Sequence, residues 1–215
     1  IPYRLVGAVR FYDRREIRDL MAYLKLIANP ADDEAFRRAV AVPKRGLGET
    51  TIEMLAEASR MHGVPMLEGA QNPEIVSTLR SAARVALAEF VRLILELREL
   101  ATEAAVDELL QELVDRVRYG DYLRAEGPES AERLDNVREL MTGAAEVVAD
   151  ELGEVGLRPL DHFLQRASLV SEATGAGDGD AVTLMTLHNA KGLEFPIVFI
   201  TGLEDGLFPL ARLRP

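Results

Sequence analysis

Apolar residues recur along the first part of the chain at steps of three and four. Ile17, Leu20, Met21, Leu24 and Ala28 keep this spacing, which lines one face of an α-helix. Asp13 precedes the run in the place of an N-cap, and Glu16, three residues on, completes a capping-box pattern. Asn29-Pro30 closes the helix, because a residue before proline is pushed out of the α region. A second, shorter helix is predicted over 33–40, with Phe36 and Val40 turned inward and Pro43 ending it. The turn Lys44-Arg45-Gly46-Leu47-Gly48 leads into a third helix carrying Ile52, Leu55 and Ala56 on one face. From 77 to about 100 a long helix is expected. Its positions Leu79, Ala83, Ala86, Phe90, Leu93, Leu97 and Leu100 alternate steps of four and three, as in the seam of a helix packed lengthwise on its neighbours. Further helices are predicted near 106–117, 130–148 and 160–169.

The period changes near both ends. Residues 1–6 read as a short strand entered through Pro2. Residues 173–180, rich in Gly, Asp, Ala and Thr, read as a flexible linker. Beyond it, 181–186 and 197–201 are apolar and β-branched, as strands are, and the stretch 188–195 between them is long enough for one helical turn. A helical domain over 14–172 is thus bracketed by strand-forming segments, 1–13 and 181–215. A domain inserted into an α/β domain has this organisation.

Composition changes this picture little. The chain of 215 residues is 48% hydrophobic and 28% charged, enough apolar material for a packed core and not the composition of a disordered chain. No apolar run approaches the roughly 20 residues of a membrane span, so no membrane partner is expected. Without cysteine there is no disulfide and no thiolate metal site, which fits a cytoplasmic setting. The charge is informative in its distribution. Residues 1–50 hold ten Lys/Arg against seven Asp/Glu, a net +3, while the remainder holds 15 against 29, a net −14, together the −11 of the chain. An acidic helical body with a basic N-terminal end can bind phosphate locally while repelling it elsewhere.

Two segments carry candidate chemistry. Where the strand 181–186 ends, Thr186, His188, Lys191 and Glu194 supply a hydroxyl, an imidazole, an ammonium and a carboxylate within one turn. Ligands of open α/β sheets sit at such strand ends. In the loop Gly46-Leu47-Gly48 the glycines let backbone approach a phosphate closely, and the helix start just beyond offers free N–H groups. Lys44 and Arg45 add charge there, and Thr50 and Thr51 add hydroxyls. Phe11 reads as a buried ring beside a surface Arg10. His62 and His162 have no partners at metal spacing and read as surface or capping histidines. No metal site is expected.

These segments bring a family resemblance into view. TLHNAKGLEFPIVF (186–199) resembles motif V of the superfamily 1 DNA helicases of the UvrD, PcrA and Rep group, and EDGLFP (204–209) resembles the segment that follows it. The opening IPYRLVGAVRFYDRREIRD (1–19) with YLKLIANP (23–30) resembles that family's entry into its accessory 2B domain. VPKRGLG (42–48), followed by ETTI (49–52), resembles the duplex-contacting loop of that domain. The resemblance reaches both ends of the chain, whereas 66–157 matches in helical character only. It implies a mainly α fold, a multi-helix 2B domain inserted into, and carried on, fragments of a RecA-like α/β motor domain 2A. It implies contact of single-stranded DNA with Thr186, His188 and Lys191, and of the nucleotide ribose with Glu194. Duplex DNA would be contacted by Lys44, Arg45, Gly46, Leu47, Gly48, Thr50 and Thr51. Asn189 stands where the family often has a small residue, and Leu210 stands where a histidine is common. The implied reaction of the longer enzyme is ATP- and Mg²⁺-dependent 3′ to 5′ translocation with strand separation in repair or replication.

The chain lacks most of what that reaction needs. A Walker loop requires Gly-Lys-Ser/Thr, but Lys25 follows Leu24, Lys44 follows Pro43 and Lys191 follows Ala190. The acidic magnesium-binding motif and the arginine-finger motif are absent too. No catalytic residue is therefore expected in this chain, and no ATP or Mg²⁺ bound to it alone. A rival reading makes the acidic helical body an interaction module docking repair or transcription proteins, with DNA contact incidental.

Overall fold

The computed structural model describes residues 3–6, 11–128, 130–146, 158–173, 181–185 and 187–201, with side chains from residue 11 onward except those of 170–173, 188 and 189. The chain divides into two compact units, Val9–Ala176 and a smaller one made of Ile1–Ala8 with Gly177–Pro215. The larger unit is helical. After a 3₁₀ turn at Phe11–Asp13 it runs through α1 (Arg15–Ala28), α2 (Asp33–Ala41), α3 (Glu49–His62), α4 (Met66–Gly69), α5 (Pro73–Val76), α6 (Ser81–Leu100), α7 (Val106–Arg116), α8 (Tyr119–Ala125), α9 (Ser130–Ala145) and α10 (Pro159–Ala173).

Helix α1 is the axis of this unit. Ile17, Leu20, Tyr23, Leu24, Leu26 and Ile27 are all buried, and α2, α6, α9 and α10 pack against it. Each fully buried side chain of this kind contributes about 1.5–3 kcal/mol. Phe90 of α6 meets Phe36 of α2 edge-on, centroids 5.3 Å apart, and Tyr23 of α1 at 6.3 Å, the arrangement that ring quadrupoles favour. Two carboxylates of α1 are buried as well, and both have partners. Asp19 accepts from Arg38 at 2.6 Å and from the Tyr119 hydroxyl at 3.0 Å, and Glu16 accepts from Asn136 Nδ2 at 2.6 Å. Without such donors a buried carboxylate would strongly destabilise the fold.

Several local expectations are corrected. Asp13 lies in the 3₁₀ turn and does not cap α1. The N-cap is Arg14, with no side-chain cap, and Glu16 is held by Asn136 of α9 instead of reaching back to the helix start. The long helix begins at Ser81, not at 77, because the short helix α5 occupies 73–76 and the chain turns between them. Its buried stripe is Ala83, Leu87, Phe90, Ile94 and Leu97, while Ala86 and Leu93 are half-buried and Leu100 is exposed. Phe36 and Val40 are buried as expected. Helices α4, α5 and α8 carry too few residues for a periodic signal.

In the smaller unit, β1 (Tyr3–Val6) pairs in parallel with β2 (Val182–Met185), Tyr3 opposite Val182 and Val6 opposite Met185. A turn of helix, α11 (Leu187–Ala190), follows. The strand expected at 197–201 is not formed: these residues carry no ladder, and Phe199 is 86% exposed and Ile197 75%. Composition favours a strand there, but a strand exists only with a neighbour to accept its hydrogen bonds. Within the expected linker, Ala173 ends α10, and 174–180 lie outside the described residues, as do Arg10, 147–148 of the helix predicted over 130–148 and the segment 202–215. No helix of the described residues is long and apolar enough to cross a membrane.

Candidate nucleic-acid interface

The loop between α2 and α3 is built by its two glycines and by one arginine. Gly46 has φ +74°, the left-handed region that favours glycine. Gly48 is the N-cap of α3 at φ −78° and ψ 160°, a conformation open to any residue, and a Cβ added there would meet nothing within 4 Å. The fold itself therefore makes no steric demand for glycine at 48. Gly48 has no side chain with which to cap α3. Its carbonyl accepts from Thr51 N at 2.9 Å and Ile52 N at 3.2 Å, and the earlier amides of the first turn have no intrahelical partner, as at any helix start. The positive end of the helix dipole adds to their attraction for anions.

Around this start, Lys44 and Thr50 are exposed, Thr51 is half-buried, and Leu47 packs against the hydrophobic core. Arg45, expected to add charge beside Lys44, turns its guanidinium inward. Its Nη1 donates to the carbonyls of Ala39 (3.0 Å), Val40 (3.1 Å) and Pro43 (3.0 Å), and its Nη2 donates to the Tyr23 hydroxyl. Its guanidinium carbon lies 5.1 Å from the centroid of Phe90 and 5.7 Å from that of Tyr23. The Tyr23 hydroxyl in turn donates to the Val42 carbonyl at 2.6 Å. Burial pushes this hydroxyl up to about 12, against the opposing pull of Arg45. It remains a donor throughout the neutral range.

The second candidate cluster lies in the smaller unit. Thr186 lies outside the described residues, and His188 is placed by backbone alone, on α11. Lys191 and Glu194 are both exposed, and Gly192 between them turns the chain at φ +85°. Local order thus gathers Lys44, Gly46, Gly48, Thr50 and Thr51 at one helix start, with Arg45 behind them. His62 has its Nδ1 2.8 Å from the Ala58 carbonyl at the end of α3, as a capping residue would. Among the described residues no group of three or more His, Asp or Glu side chains could hold a metal ion.

Sequence reasoning missed the partners of Arg45. Tyr23 precedes it by 22 residues and Phe90 lies on a different helix, so no local spacing ties them together. Nothing in the residues around Arg45, between Lys44 and Gly46, marks those partners.

The family model of the UvrD-like helicase C-terminal domain matches residues 1–214. The ATP-dependent DNA helicase PcrA of Bacillus subtilis (strain 168) is 38% identical over 220 residues, which cover 99% of this chain and 29% of that protein. The ATP-dependent DNA helicase UvrD1 of Mycobacterium tuberculosis (strain ATCC 25618 / H37Rv) is 40% identical over 232 residues, with the same coverage of 99% and 29%. PcrA of Staphylococcus aureus (strain Mu50 / ATCC 700699) is 36% identical over 213 residues, again 99% and 29%. The chain spans about three tenths of the length of these relatives.

Proposed function

The chain belongs to the UvrD-like helicase family, and from that premise we propose that it supplies the duplex-contacting part of an ATP-dependent DNA helicase together with a segment of its motor. In this reading residues 14–172 are the inserted accessory domain 2B, and 1–13 and 181–215 belong to a RecA-like motor domain 2A. The parallel pairing of Tyr3–Val6 with Val182–Met185 supports it, since parallel strands need a long crossover and here the whole helical unit lies between them in sequence. The exposed apolar run Ile197, Val198, Phe199 and Ile200 supports it too, as a surface of the kind covered by further sheet or helix. Thr186, His188 and Lys191 are assigned to the single strand and Glu194 to the nucleotide ribose. ATP and Mg²⁺ would be held mainly by parts of the longer enzyme.

One observation carries the duplex contact. Gly48 is exposed, adopts a backbone conformation open to every residue and has empty space where a side chain would stand. Glycine there leaves room for a group that approaches from outside, and a phosphate seated on the uncapped first turn of α3 would use that room. Contact is through the backbone of Gly46–Gly48, the first turn of α3, Lys44 and the hydroxyls of Thr50 and Thr51, without base readout.

Fluorescence anisotropy with a labelled duplex at several salt concentrations tests this. We expect roughly two to four phosphate contacts and affinity near the micromolar range or weaker, independent of sequence. Lys44→Ala should reduce the salt slope by about one. Gly48→Ala should weaken binding several-fold with its thermal midpoint nearly unchanged, whereas Gly46→Val should harm both folding and binding, because φ +74° strains a β-branched residue. Duplex binding by the wild type that Lys44→Ala and Gly48→Ala leave untouched would place the DNA site elsewhere.

A further inference from the structure

A loop with two glycines is poorly suited to wait in one conformation. Glycine loses more backbone freedom on ordering than any other residue, and a ligand that had to order the loop on arrival would bind more weakly for it. Something in the free protein must hold 44–48 in place for the helix start to be a standing phosphate site. Leu47 anchors one end on the core. Arg45 holds the other.

We propose that Arg45 is a positioning residue for the duplex contact, bracing the loop from behind without touching the phosphate, an inference that rests on the function proposed above for this loop. Its guanidinium joins three parts of the fold. Ala39 and Val40 lie in the last turn of α2, where carbonyls have no intrahelical partner, and a cation is favoured there by the helix dipole. Pro43 lies in the loop itself. Tyr23 belongs to the buried face of α1, and its hydroxyl reaches the Val42 carbonyl. Arg45 thus ties the loop to α2 directly and to α1 through Tyr23, while Phe90 of α6 closes one side of the guanidinium. Only a planar fork of five N–H donors can serve carbonyls on one nitrogen, a hydroxyl on the other and an aromatic face at once. Lysine keeps the charge but has a single ammonium on a flexible stem.

A direct phosphate contact and a brace make opposite predictions. If Arg45 touched a phosphate, Arg45→Lys would keep most of the affinity and Arg45→Met would lower the salt slope by about one, as Lys44→Ala does. As a brace, Arg45→Lys should weaken duplex binding by roughly tenfold, the order expected when charge-assisted hydrogen bonds are lost, with the salt slope unchanged. Tyr23→Phe, which keeps the ring and removes only the hydroxyl, should shift affinity in the same direction by a smaller factor. Amide hydrogen exchange supplies a readout without DNA: the amides of 46–51 should exchange faster in Arg45→Lys and Tyr23→Phe, while those of α7 and α9 stay as in the wild type. Equal binding by Arg45→Lys and wild type, or loop exchange unchanged in both variants, overturns the brace and leaves the duplex contact standing. A wild-type chain with no salt-dependent duplex binding overturns the loop function itself, and the positioning role falls with it.

Discussion

Glu16 shows how a residue's neighbours in space overrule its neighbours in sequence. Its spacing from Asp13 is that of a capping box, yet its carboxylate is buried and held by Asn136, whose own Oδ1 accepts from Arg14. Glu16, Asn136 and Arg14 therefore form one polar cluster between α1 and α9, and its members are interdependent. Asn136→Ala would strip Glu16 of this donor while leaving it buried. A loss of roughly 1–3 kcal/mol is expected, measurable as a lower urea midpoint with an unchanged slope. A midpoint within error of the wild type would show that water or Arg14 replaces the amide. Arg45 makes the same point for the candidate site. Its position beside Lys44 suggests a phosphate ligand, and only the positions of Tyr23, Phe90 and the end of α2 reveal an inward side chain.

At the scale of elements, α3 and α4 are packed to the limit at one contact. A Cβ on Gly69 would stand 2.0 Å from Ser59 Oγ and 2.9 Å from Ser59 Cβ, so the two helices approach at a glycine facing a serine. Gly69→Ala should accordingly destabilise the helical unit by roughly 1–3 kcal/mol. The Ser59 hydroxyl is buried there with no hydrogen-bond partner, which carries a desolvation penalty. Ser59→Ala should therefore leave stability unchanged or raise it by up to about 1 kcal/mol. Thermal melts of both variants check the pair of expectations, and a Ser59→Ala chain that melts well below the wild type would mean that the hydroxyl has a partner after all. Helix α6 was legible as a packed helix from its steps of four and three. Its face was not, because positions 86 and 87, like 93 and 94, serve a seam of that spacing equally well. The aromatic contacts of Phe90 with Tyr23 and Phe36 settle the rotation, burying Leu87 and Ile94.

For the whole molecule, the division of labour predicts a binding chain without turnover. Positioning and charge stabilisation supply nearly all the catalysis in phosphoryl transfer. The described residues present Lys191 and Glu194 to solvent without a phosphate cradle or a group able to hold magnesium. Steady-state ATPase assays on the 215-residue chain with single-stranded DNA should stay at background. Turnover abolished by chelating magnesium, in a preparation free of contaminating ATPase, would contradict the assignment. The uneven charge also belongs to this scale. The basic 1–50 segment contains the loop, so raising salt should weaken duplex binding, while screening of the net −14 on the remaining 165 residues should keep that slope shallow.

The sequence by itself determined the helical character of the middle of the chain, the strand-forming segments within 1–6 and 181–186, the turn at Gly46–Gly48 and the family. Each of these rests on local chemistry: the period of apolar residues, the φ freedom of glycine, or a contiguous motif. Tertiary structure alone decided which residues serve as partners. It paired β1 with β2 across the whole helical unit, left 197–201 without a ladder, moved Glu16 from a cap to Asn136 and turned Arg45 from solvent toward α1 and α2. These outcomes depend on contacts between distant segments, and hydrogen bonds and packing at long range leave no periodicity behind for a sequence to display.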